Sequence, residues 1–175
     1  MNQMSEFENN VAVYAGTFDP ITNGHLDILE RAISVFPIVY LAVATGGPRS
    51  SPKATYFTTK ERLRLATKSV QEYFGEESAA KIRVESFSGM LVDFAVSVNS
   101  KVIVRGLRAV SDYEYESQLA HTNRLLCPSI ETIFFVTSGS NSFISSSIVR
   151  NIALNGGDIS AIVPRPVVEG FSKKQ

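Results

Sequence analysis

Short apolar runs rich in Val and Ile alternate along this chain with longer stretches in which apolar residues recur at helical spacing. Val11 to Ala15, Ile38 to Ala44, Ile82 to Ser86, Val102 to Arg105 and Ile133 to Val136 read as strands, because continuous apolar runs of this length suit strands covered on both faces. Leu26, Leu29, Ala32, Ile33 and Phe36 share one helical stripe, and Leu63, Ala66, Val70 and Phe74 share another. Thr58 to Glu61 and Ser111 to Glu114 have capping-box spacing, and Met90 to Val98 supplies a further helix. Alternation of this kind implies right-handed crossovers. The expected fold class is α/β: a doubly wound, open, parallel five-stranded sheet, Rossmann-like, with ligands beyond the carboxyl ends of its strands.

The length of 175 residues suggests a single domain spanning 1–175, with 1–10 and 171–175 as loose tails. Lys+Arg and Asp+Glu both total 17, so no basic excess argues for a nucleic-acid partner or an anionic membrane surface. Small anionic ligands need only local charge. Cys127 is the single cysteine, which rules out an internal disulfide and fits a reducing compartment. The polar, acidic Met1 to Asn10 lacks the pattern of a secretory signal, and apolar runs such as Ile38 to Ala44 are too short to span a bilayer. A soluble cytoplasmic protein is expected, with Gly46 to Pro52 as a mobile loop.

Candidate chemistry gathers where strands give way to helices. Gly16-Thr17-Phe18-Asp19-Pro20-Ile21-Thr22-Asn23-Gly24-His25 follows the first strand. At a helix N-terminus the first N–H groups lack partners and the peptide dipoles leave partial positive charge, so an anionic oxygen is stabilised there. Gly16 and Gly24 allow close main-chain approach, Asn23 or Thr22 can cap, and His25 falls in the first turn, where an imidazole can donate to a phosphate oxygen. Ile144-Ser145-Ser146-Ser147-Ile148-Val149-Arg150 follows the last strand and reads as a second helix start with three hydroxyls, after a linker-like Ser138 to Ser142. The chain carries neither a P-loop nor a Gly-x-Gly-x-x-Gly after a strand.

Together Thr22-Asn23-Gly24-His25 and Ile144 to Arg150 resemble the two signatures of the nucleotidyltransferase superfamily, His/Thr-x-Gly-His and Ile-Ser-Ser-Ser/Thr-x-x-Arg. Between them Arg105-Gly106-Leu107-Arg108-Ala109-Val110-Ser111-Asp112-Tyr113-Glu114-Tyr115-Glu116 is similar to a segment of the bacterial phosphopantetheine adenylyltransferases. The resemblance runs from about Val11 to Val168 and implies the superfamily's nucleotidyltransferase fold. It implies an enzyme in which the phosphate of 4′-phosphopantetheine attacks the α-phosphorus of ATP, giving dephospho-coenzyme A and pyrophosphate with no covalent enzyme intermediate. The attacking oxygen is already anionic, so catalysis reduces to alignment and charge stabilisation.

Carried over by motif, the resemblance makes His25 and Thr17 catalytic, with Thr17 between the reacting phosphates and His25 donating to the α-phosphate. Thr17, Lys53, Leu91 and Arg105 would bind the acceptor, Arg105 through its phosphate. Thr17, Phe18, His25, Gly106, Leu107, Arg108 and Glu116 would meet ATP, and Asn141, Ser142, Phe143, Ile144, Ser145, Ser146 and Ser147 would cradle its triphosphate. Counting forward from the second strand selects Arg49 in place of Lys53, and burial in the core is the alternative for Leu91. Ala15 stands where the family commonly has proline, and Asn141 where it often has an aromatic. Mg2+ is the expected cofactor, held by phosphates and water because no carboxylate cluster here argues for a protein metal cage. The resemblance further implies a homohexamer and binding of coenzyme A as product or feedback ligand. The Arg105 to Arg108 segment argues against nicotinamide-mononucleotide adenylyltransferase or glycerol-phosphate cytidylyltransferase activity, and retention of Thr17 and His25 against a catalytically silent sensor.

Overall fold

The computed structural model describes residues 10–45 and 55–174. Five strands, β1 (Val11–Gly16), β2 (Ile38–Ala44), β3 (Ile82–Phe87), β4 (Val102–Leu107) and β5 (Glu131–Val136), form one sheet in the order β3-β2-β1-β4-β5. Every neighbouring pair is parallel. Helices α1 (Asn23–Val35), α2 (Thr59–Ala79), α3 (Leu91–Ser97), α4 (Val110–Leu126), α5 (Ser146–Leu154) and α6 (Arg165–Ser172) connect or follow the strands. The strand placements expected from the sequence hold, with β1, β3, β4 and β5 each a residue or two longer.

Central position explains composition. β1 lies between β2 and β4 with helices packed on both its faces, so its side chains divide between two cores. Ala12 and Tyr14 join the larger core with α1, α2, α5 and α6, while Val13 and Ala15 join a smaller one with Val92 and Ala95 of α3. The chain adds β2 and β3 on one side of β1, then crosses to add β4 and β5 on the other. Crossovers leaving adjacent strands in opposite directions open a crevice at their carboxyl ends, here between β1 and β4.

Local signals fare unequally. Thr58 and Glu61 form their capping box at the start of α2, with the Thr58 N–H donating to Glu61 Oε2 at 2.7 Å. The expected Ser111–Glu114 box does not form: α4 begins at Val110 after Ala109, which has no side-chain cap, so Ser111 already lies inside the first turn. Asp112 is used there instead, accepting the Arg108 backbone N–H at 3.1 Å. The expectation of a loose tail from 171 onward is also corrected. Phe171 is 3% exposed, its ring stacked on Tyr56 and edge-on to Phe57, because the amphipathic α6 needs an apolar surface and finds it on α2 and the segment before it. Lys174 Nζ donates to the Tyr56 carbonyl at 2.7 Å and pairs with Glu61 at 2.9 Å.

Candidate functional site

The loop leaving β1 is bent by its own residues and held from behind. Phe18 has φ 48°, in the left-handed region that a bulky side chain normally avoids, at a cost of about 1–3 kcal/mol that its buried surroundings offset. Its ring folds back over Gly16, where an added Cβ would lie 3.0 Å from the ring edge. Beneath the loop, the buried Arg62 guanidinium donates to the carbonyls of Thr17 at 2.6 Å, Ala44 at 2.8 Å and Phe57 at 3.2 Å. Asp19, also buried, accepts the N–H groups of Tyr56 at 2.8 Å and Phe57 at 2.9 Å. Thr17 therefore sits on a short segment tied to β2 and to the start of α2.

Thr22, rather than Asn23, caps α1 and forms a capping box in which histidine takes the place of the usual Glu or Gln. The Thr22 backbone N–H donates to His25 Nδ1 at 3.0 Å. A backbone N–H can only donate, so Nδ1 is the acceptor and the ring proton resides on Nε2. Burial, reinforced by the charges of Arg108 and Arg105, pushes the imidazole pKa down to about 4. The ring is neutral near pH 7, a fixed Nε2–H donor braced edge-on by Phe18 at 5.0 Å between centroids. Asn141 approaches α1 through its carbonyl, 3.5 Å from where a Cβ on Gly24 would lie.

Two arginines enter from β4 and the loop after it. Arg105 forms a bidentate pair with Glu116, both bonds at 2.6 Å, and donates to the Ala15 carbonyl at 2.7 Å. Arg108 grips Asp112 through Nε at 3.1 Å and Nη2 at 3.2 Å and donates to the Ile144 carbonyl at 3.2 Å. Asp112 and Glu116 lie four apart, one turn of α4, so a single helix face supplies both counter-ions. Between the arginines Gly106 admits α1: an added Cβ would meet Ile28 Cγ1 at 2.9 Å.

The second helix start closes the crevice. Ser145 caps α5 by accepting the Ile148 N–H at 3.2 Å, and Ser146 Oγ donates to the Pro20 carbonyl at 2.7 Å. Arg150 reaches back to the Asp19 carbonyl and carboxylate, tying the two motifs together. The result is a crevice of about 420 Å³ at the carboxyl ends of β1 and β4.

Of the residues singled out from the sequence, Thr17, Phe18, His25, Arg105, Gly106, Arg108, Glu116, Ile144, Ser145 and Ser146 line this crevice. Leu107, Asn141, Ser142, Phe143 and Ser147 do not, although they flank it in sequence; Phe143 is 62% exposed. Leu91 packs instead against the smaller core, because it opens α3 on the opposite face of the sheet. Lys53, its alternative Arg49 and the Gly46 to Pro52 loop lie outside the described residues. Sequence reasoning missed Tyr14, Ile28, Tyr115 and Asp112 on the crevice wall. The i,i+4 spacing of Asp112 and Glu116 just after two arginines is the signal that could have found the carboxylate face.

Chemically the crevice offers donors: an Nε2–H, two guanidinium groups and the free N–H groups of two helix starts. Its carboxylates Asp112 and Glu116 are both paired with arginine. That inventory suits binding oxyanions and stabilising charge on them, with no side chain poised as a strong base. Among the described residues no group of three or more His, Cys, Asp or Glu could hold a metal ion.

The Cytidylyltransferase-like family profile matches residues 13–152. The chain is 44% identical over 164 residues to a phosphopantetheine adenylyltransferase of Alkaliphilus metalliredigens (strain QYMF), covering 94% of this chain and 98% of that protein. A phosphopantetheine adenylyltransferase of Clostridium kluyveri is 45% identical over 163 residues, 93% of each chain. In fold it is similar to the solved structure of Plasmodium falciparum nicotinic acid mononucleotide adenylyltransferase complexed with NaAD, with a TM-score of 0.62 over 94% of this chain and 95% of that one at 16% identity. On profile, sequence and sheet topology together, the chain belongs to the Cytidylyltransferase-like family and, within it, to the phosphopantetheine adenylyltransferases.

Proposed function

We propose that the protein transfers the adenylyl group of ATP to 4′-phosphopantetheine, giving dephospho-coenzyme A and pyrophosphate. The observation that carries this reading is the convergence of Thr17, the His25 Nε2–H, both arginines and the Ser145–Ser146 helix start on one crevice. An acceptor phosphate held in line with the α-phosphorus of ATP needs no protein nucleophile, since its attacking oxygen is already charged. As the pentacoordinate phosphorus forms, charge grows on its equatorial oxygens, and a rigid neutral donor aimed there lowers the barrier. His25 fills that role, Thr17 lies between the reacting phosphates, Arg105 holds the acceptor phosphate, and Arg108 with the α5 N-terminus holds the triphosphate.

Arg105 and Arg108 are each paired with a carboxylate before ligand binds. Phosphate oxygens can share or replace these partners, and Asp112 and Glu116 keep the guanidinium planes oriented meanwhile. Mg2+ accompanies ATP in this proposal, supplying charge neutralisation on the leaving pyrophosphate, and is held by phosphates and water. Lys53 is retained as an acceptor ligand on the resemblance.

The homohexamer is likewise proposed. Its support is α4, which buries none of its residues within the chain and exposes Val110, Tyr113, Tyr115, Leu125 and Leu126. No helix among the described residues is long and apolar enough to cross a membrane, and the lone Cys127 suits the cytoplasm. The deciding experiment measures pyrophosphate release with ATP or CTP across candidate acceptors. Turnover requiring ATP and 4′-phosphopantetheine supports the assignment; turnover only with nicotinamide mononucleotide or glycerol phosphate overturns it.

A further inference from the structure

Eight hydroxyl side chains line the crevice, and the fold engages four of them. Thr22 Oγ1 engages His25 Nδ1 at 3.0 Å, Ser145 caps α5, Ser146 donates to Pro20, and Thr137 Oγ1 donates to the Leu107 carbonyl at 3.4 Å. Tyr14 differs. It lies two residues before the end of β1 and is 5% exposed as a residue, and its hydroxyl opens into the crevice with no side-chain or backbone partner among the described residues. A hydroxyl that the fold leaves open to a binding crevice is available to donate to whatever binds there.

The surroundings indicate what partner would suit. Tyr14 and Arg105 both line the crevice, close enough for the guanidinium charge to act on the phenol, and Arg105 is anchored beside it by donating to the Ala15 carbonyl at 2.7 Å. Phe18 packs edge-on against the Tyr14 ring at 5.5 Å and limits its swing. Burial raises the phenol pKa well above its ordinary value, so the group remains a neutral O–H donor throughout the physiological range. A neutral donor beside an arginine is complementary to a phosphate oxygen.

We propose that the Tyr14 hydroxyl donates a hydrogen bond to the phosphate of the acceptor substrate, in the subsite of Arg105. This rests on the acceptor assigned above. Tyr14→Phe removes one oxygen and keeps the ring, so the fold is kept and thermal stability should change little, which a melt checks. Calorimetric titration of both proteins with 4′-phosphopantetheine, with pantetheine, and with an unreactive ATP analogue isolates the contact. The affinity of Tyr14→Phe for 4′-phosphopantetheine should fall about tenfold or more, the scale of a hydrogen bond to a charged group, with pantetheine and the ATP analogue unchanged. Unchanged 4′-phosphopantetheine affinity overturns the proposal, and so does a loss confined to the ATP analogue or shared equally by pantetheine. If the wild type fails to bind 4′-phosphopantetheine, the acceptor assignment falls separately. Inorganic phosphate then serves as the probe, and equal phosphate affinity in the two proteins overturns the Tyr14 contact itself.

Discussion

Replacing His25 with alanine separates the two things the imidazole does. On the fold side, the change removes the Nδ1 acceptor of the Thr22 N–H at 3.0 Å and the edge-on contact with Phe18 at 5.0 Å. Capping bonds and aromatic contacts of this kind are each worth about 1 kcal/mol, so a loss of roughly 2 kcal/mol is expected. At this chain length that lowers Tm by roughly 4–8 °C, leaving the protein folded at 25 °C. On the catalytic side, one preorganised donor to a developing oxyanion is lost, which typically lowers kcat by ~10²–10³-fold with little change in KM. The assay is pyrophosphate release at saturating ATP and 4′-phosphopantetheine, beside a thermal melt. A kcat within about threefold of wild type would remove the residue from the transition state. The protonation state adds a second check. With its pKa near 4, His25 stays neutral from pH 6 to 8, and no inflection near its ordinary value of 6.5 should appear in the kcat profile. An inflection there that vanishes in His25→Ala would refute the neutral-donor reading.

Stability carries the same signature. The unfolded chain binds a proton at His25 below its ordinary pKa of 6.5 whereas the folded chain does so only near 4; the stabilisation is therefore full above pH 6.5 and lost as pH falls toward 4. Denaturant midpoints of the wild type should decline across that window more than those of His25→Ala, and parallel declines would contradict it. For Arg105→Ala, weaker 4′-phosphopantetheine binding is expected with ATP affinity largely kept, read by titration; equal loss of both ligands would place Arg105 in the wrong subsite. Gly106→Ala drives a methyl into Ile28, 2.9 Å from its Cγ1 and 3.2 Å from its Cδ1, and should destabilise by about 1–3 kcal/mol; Ile28→Ala, which removes both atoms, should couple favourably with it in a double-mutant cycle. No coupling in denaturant melts would mean the strain lies elsewhere. Phe171→Ala empties a site that is 3% exposed and should destabilise by about 3–5 kcal/mol, whereas a free tail would give no change.

The sequence alone determined the alternation of strands and helices and the two junctions at Gly16–His25 and Ile144–Arg150, because apolar periodicity and cap residues act within a few positions of one another. It also carried the three motifs that mark the family. Tertiary structure decided which of those residues share a wall. Phe143 stands beside motif residues in the chain and Leu91 opens α3, yet neither lines the crevice, while Tyr14 entered it without a local signal to single it out. The same holds for electrostatics: pairing of Arg105 with Glu116, pairing of Arg108 with Asp112, and the low pKa of His25 each depend on what lies across the crevice. Burial of Phe171 was illegible for the same reason, since α6 is short and its apolar face acquires meaning only from Tyr56 and Phe57, more than a hundred positions earlier. Local patterns record the preferences of a segment, and the free energy of a charge or a ring is set by neighbours that only the folded chain brings together.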